Sequence, residues 1–310
     1  MKALAALLLV AAGAATAQAA PARYDGLCDA SAAVALDERH FIVADDEHNR
    51  LTVYRQGHAK RVGEVDLDKF LGAKKESDLE GAAQRGDRIY WISSHARNSR
   101  GELREDRHRF FATDIRGDTV APAGKPYTRL LDDLLAAPSL APLKLADAAA
   151  RAAEADGGFN IEGLATAADG SLLIGLRNPI PQGRALLIPL LNPAELVDGR
   201  GPARFGAVIR LDLGGRGVRS IERVGNAYLI AAGPPADDGT FALFRWSGQA
   251  GDAPTPVKAD LGSLRPEALF AWPDGRVTLL SDDGGVMVGK KACKDADKGK
   301  RAFRALDLRP

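Results

Sequence analysis

Asp78-Leu79-Glu80-Gly81-Ala82-Ala83-Gln84-Arg85-Gly86-Asp87-Arg88-Ile89-Tyr90-Trp91-Ile92-Ser93-Ser94-His95 runs from an acidic opening through an apolar strand, a tight turn and a second apolar strand to a polar end. The unit recurs. Asn160-Ile161-Glu162-Gly163 precedes Ser171-Leu172-Leu173-Ile174, and Arg265-Pro266-Glu267-Ala268 precedes Arg276-Val277-Thr278-Leu279-Leu280. Asp169-Gly170 and Asp274-Gly275 supply the turns, because glycine accepts the positive φ that a tight hairpin needs. Four-stranded units repeating every 40–45 residues or so are the sequence pattern of propeller blades. The chain therefore reads as an all-β protein, a β-propeller.

Working outward, Ala30 to Leu67 forms a first unit, with Asp45-Asp46-Glu47-His48-Asn49-Arg50 as a polar reversal between its middle strands. The unit from Asp78 to Tyr127 is the second, and others open at Asn160, Arg219 and Arg265. This gives five blades, or six if the N-terminal strand completes another. Residues 128–156 break the pattern. Leu130, Leu131, Leu134 and Leu135, then Leu143 and Leu145, are spaced by three and four among strong helix formers, which predicts two short helices separated by Pro138 and Pro142.

At the N-terminus, Met1-Lys2, the apolar run Ala3 to Val10 and the small-residue stretch to Ala19 have the three parts of a secretory signal over residues 1–19. Residues 20–310 are expected to form one exported domain, periplasmic or secreted. No later stretch approaches the roughly 20 apolar residues of a spanning helix, so no membrane anchor is expected. With 42 Lys and Arg against 41 Asp and Glu, net charge +1, no global field draws nucleic acid. A monomer is expected. Cys28 and Cys293 sit near the two ends of the exported chain and are expected to pair in an oxidising compartment, closing the ring; two buried thiols are the other reading. In the chain-entropy view so long a loop would contribute about 5 kcal/mol.

In a propeller, the innermost strand of each blade starts on one face and the second strand ends on that same face. The starts supply Asp29, Glu80, Glu162, Glu222 and Glu267. The ends supply Asp45 and Asp46, His95 with Arg97, Arg177 with Asn178, and Asp282 with Asp283. Clustered carboxylates repel unless a cation or arginine intervenes, and many hard oxygen donors suit Ca²⁺. Asp45, Asp46, Glu80, Glu162, Glu222, Glu267, Asp282 and Asp283 are thus candidate metal ligands. Arg97, Arg177 and Asn178 are candidates for holding a small anionic ligand, and His95 is the candidate acid or base. The opposing reading makes these acids strand and turn caps. The helical insertion and the loops at residues 100–107 and 179–184 would form a partial lid. Nucleophile-elbow, zincin, P-loop, C-x-x-C and EF-hand patterns are absent.

The segments Cys28-Asp29-Ala30-Ser31-Ala32-Ala33, Asp78-Leu79-Glu80-Gly81, Asn160-Ile161-Glu162-Gly163-Leu164-Ala165, Leu190-Leu191-Asn192-Pro193 and Arg219-Ser220-Ile221-Glu222 resemble an exported bacterial β-propeller family of unknown function across the whole exported chain. The Leu/Ile-Glu-Gly openings are also similar, more distantly, to phytase-like esterase propellers. That second resemblance implies calcium-dependent phosphoester hydrolysis, although the lysine-rich phosphate pocket of propeller phytases has no counterpart in this sequence. Two functions are therefore carried forward: a periplasmic module that binds a small anion or a partner with Ca²⁺ at the channel mouth, and a calcium-dependent phosphoester hydrolase.

Overall fold

The computed structural model describes residues 20–236 and 239–308; the signal-like segment 1–19 lies outside them. Apolar runs separated by glycine turns fold as antiparallel hairpins, and five four-stranded sheets result. Blade 1 comprises Ala32–Ala35, His40–Ala44, Arg50–Arg55 and Arg61–Asp66, and blade 2 Leu79–Arg85, Arg88–Ser93, Phe110–Arg116 and Thr119–Tyr127. Blade 3 comprises Asn160–Thr166, Leu172–Asn178, Ala185–Leu190 and Ile209–Leu211, and blade 4 Gly217–Val224, Ala227–Gly233, Ala242–Trp246 and Thr255–Val257. Blade 5 takes Pro266–Ala271, Val277–Ser281 and Ala302–Leu308 from the end of the chain and Ala22–Asp25 from its beginning. The five inner strands touch in a closed ring. There are five blades, and the N-terminal strand completes the fifth rather than starting a sixth.

Each seam between blades buries its own apolar layer. The closing seam is aromatic. Phe41 of blade 1 stacks on Phe270 of blade 5 at 5.1 Å, and Tyr24 stacks on Phe303 at 5.4 Å. Such pairs add about 0.5–1.5 kcal/mol beyond the area they bury. Cys28 and Cys293 are bonded beside this seam, so a covalent link joins segments 265 residues apart where the ring closes.

The insertion is helical as its leucine spacing predicts: α2 (Leu130–Ala136) and α3 (Leu145–Ala149) flank a 3₁₀ stretch over Pro138–Leu143. Leu130, Leu134, Leu140 and Leu145 pack onto blades 2 and 3. Two further short helices, α1 (Asp68–Leu71) and α4 (Pro193–Val197), lie in connections. Among the described residues no helix is long and apolar enough to cross a membrane.

Candidate functional site

The Glu-Gly motif has a local structural cause. In blades 2, 3 and 5 the ladder between the first two strands slips by one residue at Glu80, Glu162 and Glu267, making a β-bulge that turns each carboxylate out of the sheet. In blades 2 and 3 a glycine follows, and crowding requires it; in blade 5 the small residue is Ala268. A Cβ on Gly163 would sit 2.7 Å from Val218 Cγ1, and one on Gly81 would sit 2.9 Å from Ile92 Cγ2. Blade 4 has the same bulge, but Arg219 occupies it.

These four bulges converge on the axis. Glu80, Glu162 and Glu267 place carboxylate oxygens within 4.8 Å of one another, and so do Asp46, Asp78 and Glu80. Glu80 belongs to both groups. Asp29 and Asp282 stand beside them: Asp282 acts electrostatically on Asp46 and Glu267, and Asp46 and Asp282 both act on Asp29. Seven carboxylates thus surround the mouth of the channel, against three guanidinium groups.

Arg219 is one of the three. Its Nε lies 3.1 Å from Glu162 Oε2, and its Nη2 is paired with Glu267. Arg177 Nη1 donates to Glu162 Oε1 at 2.8 Å, which also accepts from Asn160 Nδ2 at 2.9 Å. Burial works against the charge on Arg219, but the adjacent Glu162 and Glu267 outweigh it and hold the guanidinium above its ordinary value. The third, Arg107, meets Asp78 Oδ2 at 2.9 Å; Ser94 donates to the same oxygen.

Glu80 differs from all of these. It is 8% exposed and has neither a hydrogen bond nor an ion pair among the described residues. Burial, then Asp78, Glu162, Glu267 and Asp46, raise its carboxyl well above the usual range. Asp46 is raised for the same reasons, and its Oδ1 is buried without a partner. Burial first, opposed by Arg219, leaves Glu267 at about 8; burial and Asp46 raise Asp29 to about 10. Burial and mutual repulsion thus favour the protonated forms of these carboxyls. A cavity of about 460 Å³ leads to the outer group, lined by Asp46, Asp78, Glu47, Arg107, Lys294 and Arg301.

Other sequence-predicted residues lie elsewhere or already have partners. Glu222 is near the opposite face, paired with Leu229 just before the turn at Gly225, half-buried, with its carboxyl raised to about 8 by burial. Asp283 holds Arg304 through both oxygens, at 2.7 and 2.8 Å. Asp45 caps the backbone N–H of His48 at 2.6 Å and contacts its ring. Arg97 donates to the carbonyls of Ala149 and Gly101, and Asn178 to those of Ala153 and Ala155, so both fasten the helical insertion and neighbouring loop to the blades. His95 is 1% exposed, with Nδ1 on the Ser93 carbonyl and its ring stacked 5.6 Å from His108. Burial, then His108, lowers it to about 3, so it stays neutral near neutrality.

Asp78, Arg107 and Arg219 were not among the residues singled out from the sequence. Arg219 carried a legible signal. Glu80, Glu162 and Glu267 precede their turn glycines, Gly86, Gly170 and Gly275, by six, eight and eight residues, whereas Glu222 precedes Gly225 by three and Arg219 by six.

Residues 127–269 match a family described as "Protein of unknown function (DUF3616)". No curated protein matches the chain. Similar solved structures include hydrazine synthase of Kuenenia stuttgartiensis, at 12% identity over 86% of this chain with a TM-score of 0.38; the chain spans 60% of that protein's length. A putative oxidoreductase (glucose dehydrogenase) of Thermus thermophilus is similar at 16% identity, over 93% of this chain and all of that one, with a TM-score of 0.44. A GH43_1 enzyme from Xanthomonas citri is similar at 11% identity, over 94% and 91% of the two chains, with a TM-score of 0.49.

Proposed function

We propose that this propeller holds a divalent cation, Ca²⁺ by its donor chemistry, at the channel mouth, and that the bound cation receives a small anionic ligand. The observation that carries the reading is Glu80: a buried carboxylate with no protein partner, shared by two groups of convergent oxygens. Ca²⁺ takes six to eight oxygens at about 2.3–2.6 Å, so donors on opposite sides of the ion are roughly 5 Å apart. Spacings within 4.8 Å suit that sphere.

The outer group is the better site. Glu162 is already charge-paired with two arginines and accepts from Asn160 through Oε1, whereas among the described residues Glu80 meets no cation and Asp46 Oδ1 is buried without a partner. Asp46 and Asp78 also line the cavity that opens outward, where Lys294, Arg301 and Arg107 give a cation-bound anion a favourable surround. A hydrolase would use the same cation to lower the pKa of a bound water. The disulfide accords with an oxidising compartment and supports export to the periplasm or beyond.

Titration calorimetry with CaCl₂ in two buffers of different ionisation enthalpy tests the proposal. Because burial and repulsion raise the carboxyls of Glu80 and Asp46 well above the usual range, cation binding is expected to release protons, and the apparent heat then depends on the buffer. Glu80→Gln is expected to abolish the binding heat and the calcium-dependent rise in melting temperature. Absence of both effects in the unsubstituted protein would sink the reading. Release of product from a chromogenic phosphomonoester, lost with Glu80→Gln, would place hydrolysis alongside binding.

A further inference from the structure

A second cavity, of about 980 Å³, lies apart from the carboxylate ring, between the segment after α1, the Leu103–Arg109 loop of blade 2 and helices α2 and α3. Its volume is at the upper end of small-molecule sites, about 300–1,000 Å³. It is separated from the mouth by an ionic partition: Glu76 Oε1 accepts from Arg104 on the cleft side at 2.6 Å and from Arg107 on the mouth side at 3.5 Å.

The cleft wall carries two kinds of chemistry. Leu103, Leu131, Leu135 and the alanines of α3 supply an apolar part. Leu103 and Leu135 are 52% and 39% exposed, two of the few large apolar side chains that the fold leaves in water. Lys74, Lys75 and Arg129 supply a cationic part: none of their side chains meets a carboxylate among the described residues, although the Lys74 backbone N–H donates to Asp106 Oδ1 at 3.2 Å. In all, six cationic and three acidic side chains line the cleft, so its field is positive where that of the mouth is negative.

We infer that this cleft binds a soluble amphipathic anion, a molecule with an apolar body and one carboxylate or phosphate head. The body would cover Leu103 and Leu135 while the head meets Lys74, Lys75 and Arg129. Apolar contact alone or charge alone engages only part of the wall.

Anilinonaphthalene sulfonate, which combines a flat apolar body with an anionic head, is the probe, used on the folded full-length protein well below its melting transition. Its fluorescence is expected to rise on binding and to be displaced by dodecanoate. Acetate, which lacks the body, and dodecyl maltoside, which lacks the charge, are expected not to displace it. The double variants Lys74→Glu with Arg129→Glu, and Leu103→Ser with Leu135→Ser, alter exposed side chains and are each expected to weaken probe binding at least tenfold with unchanged melting. Probe affinity unchanged from the unsubstituted protein in either double variant, or displacement by acetate or by dodecyl maltoside, would overturn the inference. So would co-sedimentation with anionic phospholipid vesicles that both double variants abolish, because the ligand would then be a membrane surface.

Discussion

At the scale of single residues, the mouth of the channel is a balance between carboxylates that have a guanidinium and carboxylates that do not. Arg219 is the pivot, since it neutralises Glu162 and Glu267 together in a setting where each is buried. Removing one partner of a buried ionic group leaves uncompensated charge, at about 3–5 kcal/mol. Arg219→Ala is accordingly expected to lower unfolding free energy by about that amount in urea titrations, with Arg219→Lys recovering only part, because an ammonium cannot serve two carboxylates with a planar fork. Glu222 provides a pH-dependence independent of the mouth. Its folded value of about 8 exceeds an unfolded value of about 4.3. The folded state therefore binds more protons between those values, and this group's contribution is complete below about pH 4.3 and is lost as pH rises through about 8. Urea titrations at intervals across that window are expected to show stability falling with pH, and Glu222→Gln to flatten part of the fall. An unaltered slope in the variant would show that Glu222 titrates normally.

At the scale of elements, the recurrent device is a bulge, an ionic side chain and a small residue at the start of an inner strand. The bulge turns the side chain toward the axis, and the small residue lets the neighbouring blade come close enough for the ionic groups to meet. Gly163→Ala tests the second half of that statement. Its Cβ would stand 2.7 Å from Val218 Cγ1 and 3.1 Å from Gly175 Cα, so blades 3 and 4 would have to separate. Overpacking of this kind costs about 1–3 kcal/mol. A fall in thermal stability of that order is expected, together with weaker calcium binding, because Glu162 and Arg219 sit on the two strands that are pushed apart. Retention of both properties would show that the seam relaxes freely. The helical insertion is the other element with a defined task. Arg97 and Asn178 bond its backbone and the adjoining loop, tying residues 149–155 to the ends of the second strands of blades 2 and 3. Arg97 and Asn178, two of the three residues chosen from the sequence as anion ligands, thus hold the insertion against the blades.

At the scale of the whole molecule, closure of the ring decides which groups meet. Ala22–Asp25 pairs with Ala302–Leu308, aromatic rings fill the seam, and the disulfide links Cys28 to Cys293. The bond also reaches the site: Asp29 follows Cys28 in the carboxylate ring, and Lys294 follows Cys293 on the wall of the outward cavity. Replacing both cysteines by alanine is expected to reduce stability by about 2–5 kcal/mol and to weaken calcium binding, as read by denaturant titration and calorimetry. A double variant with undiminished stability would show that strand pairing and aromatic packing close the ring unaided. The propeller, its polar face and the positions of Glu80, Glu162 and Glu267 were legible in the chain, because strand alternation and turn glycines recur blade by blade, and a Glu followed by a small residue, Gly81, Gly163 or Ala268, opens three of the inner strands. The linear order could not distinguish Asp283, held by Arg304, from its neighbour Asp282 in the ring, nor show that Arg177 is turned onto Glu162. Local pattern determined which residues start and end the strands. Only the packing of five sheets about one axis decided which charges neutralise one another and left Glu80 without a partner, because those contacts join blades that are distant in sequence.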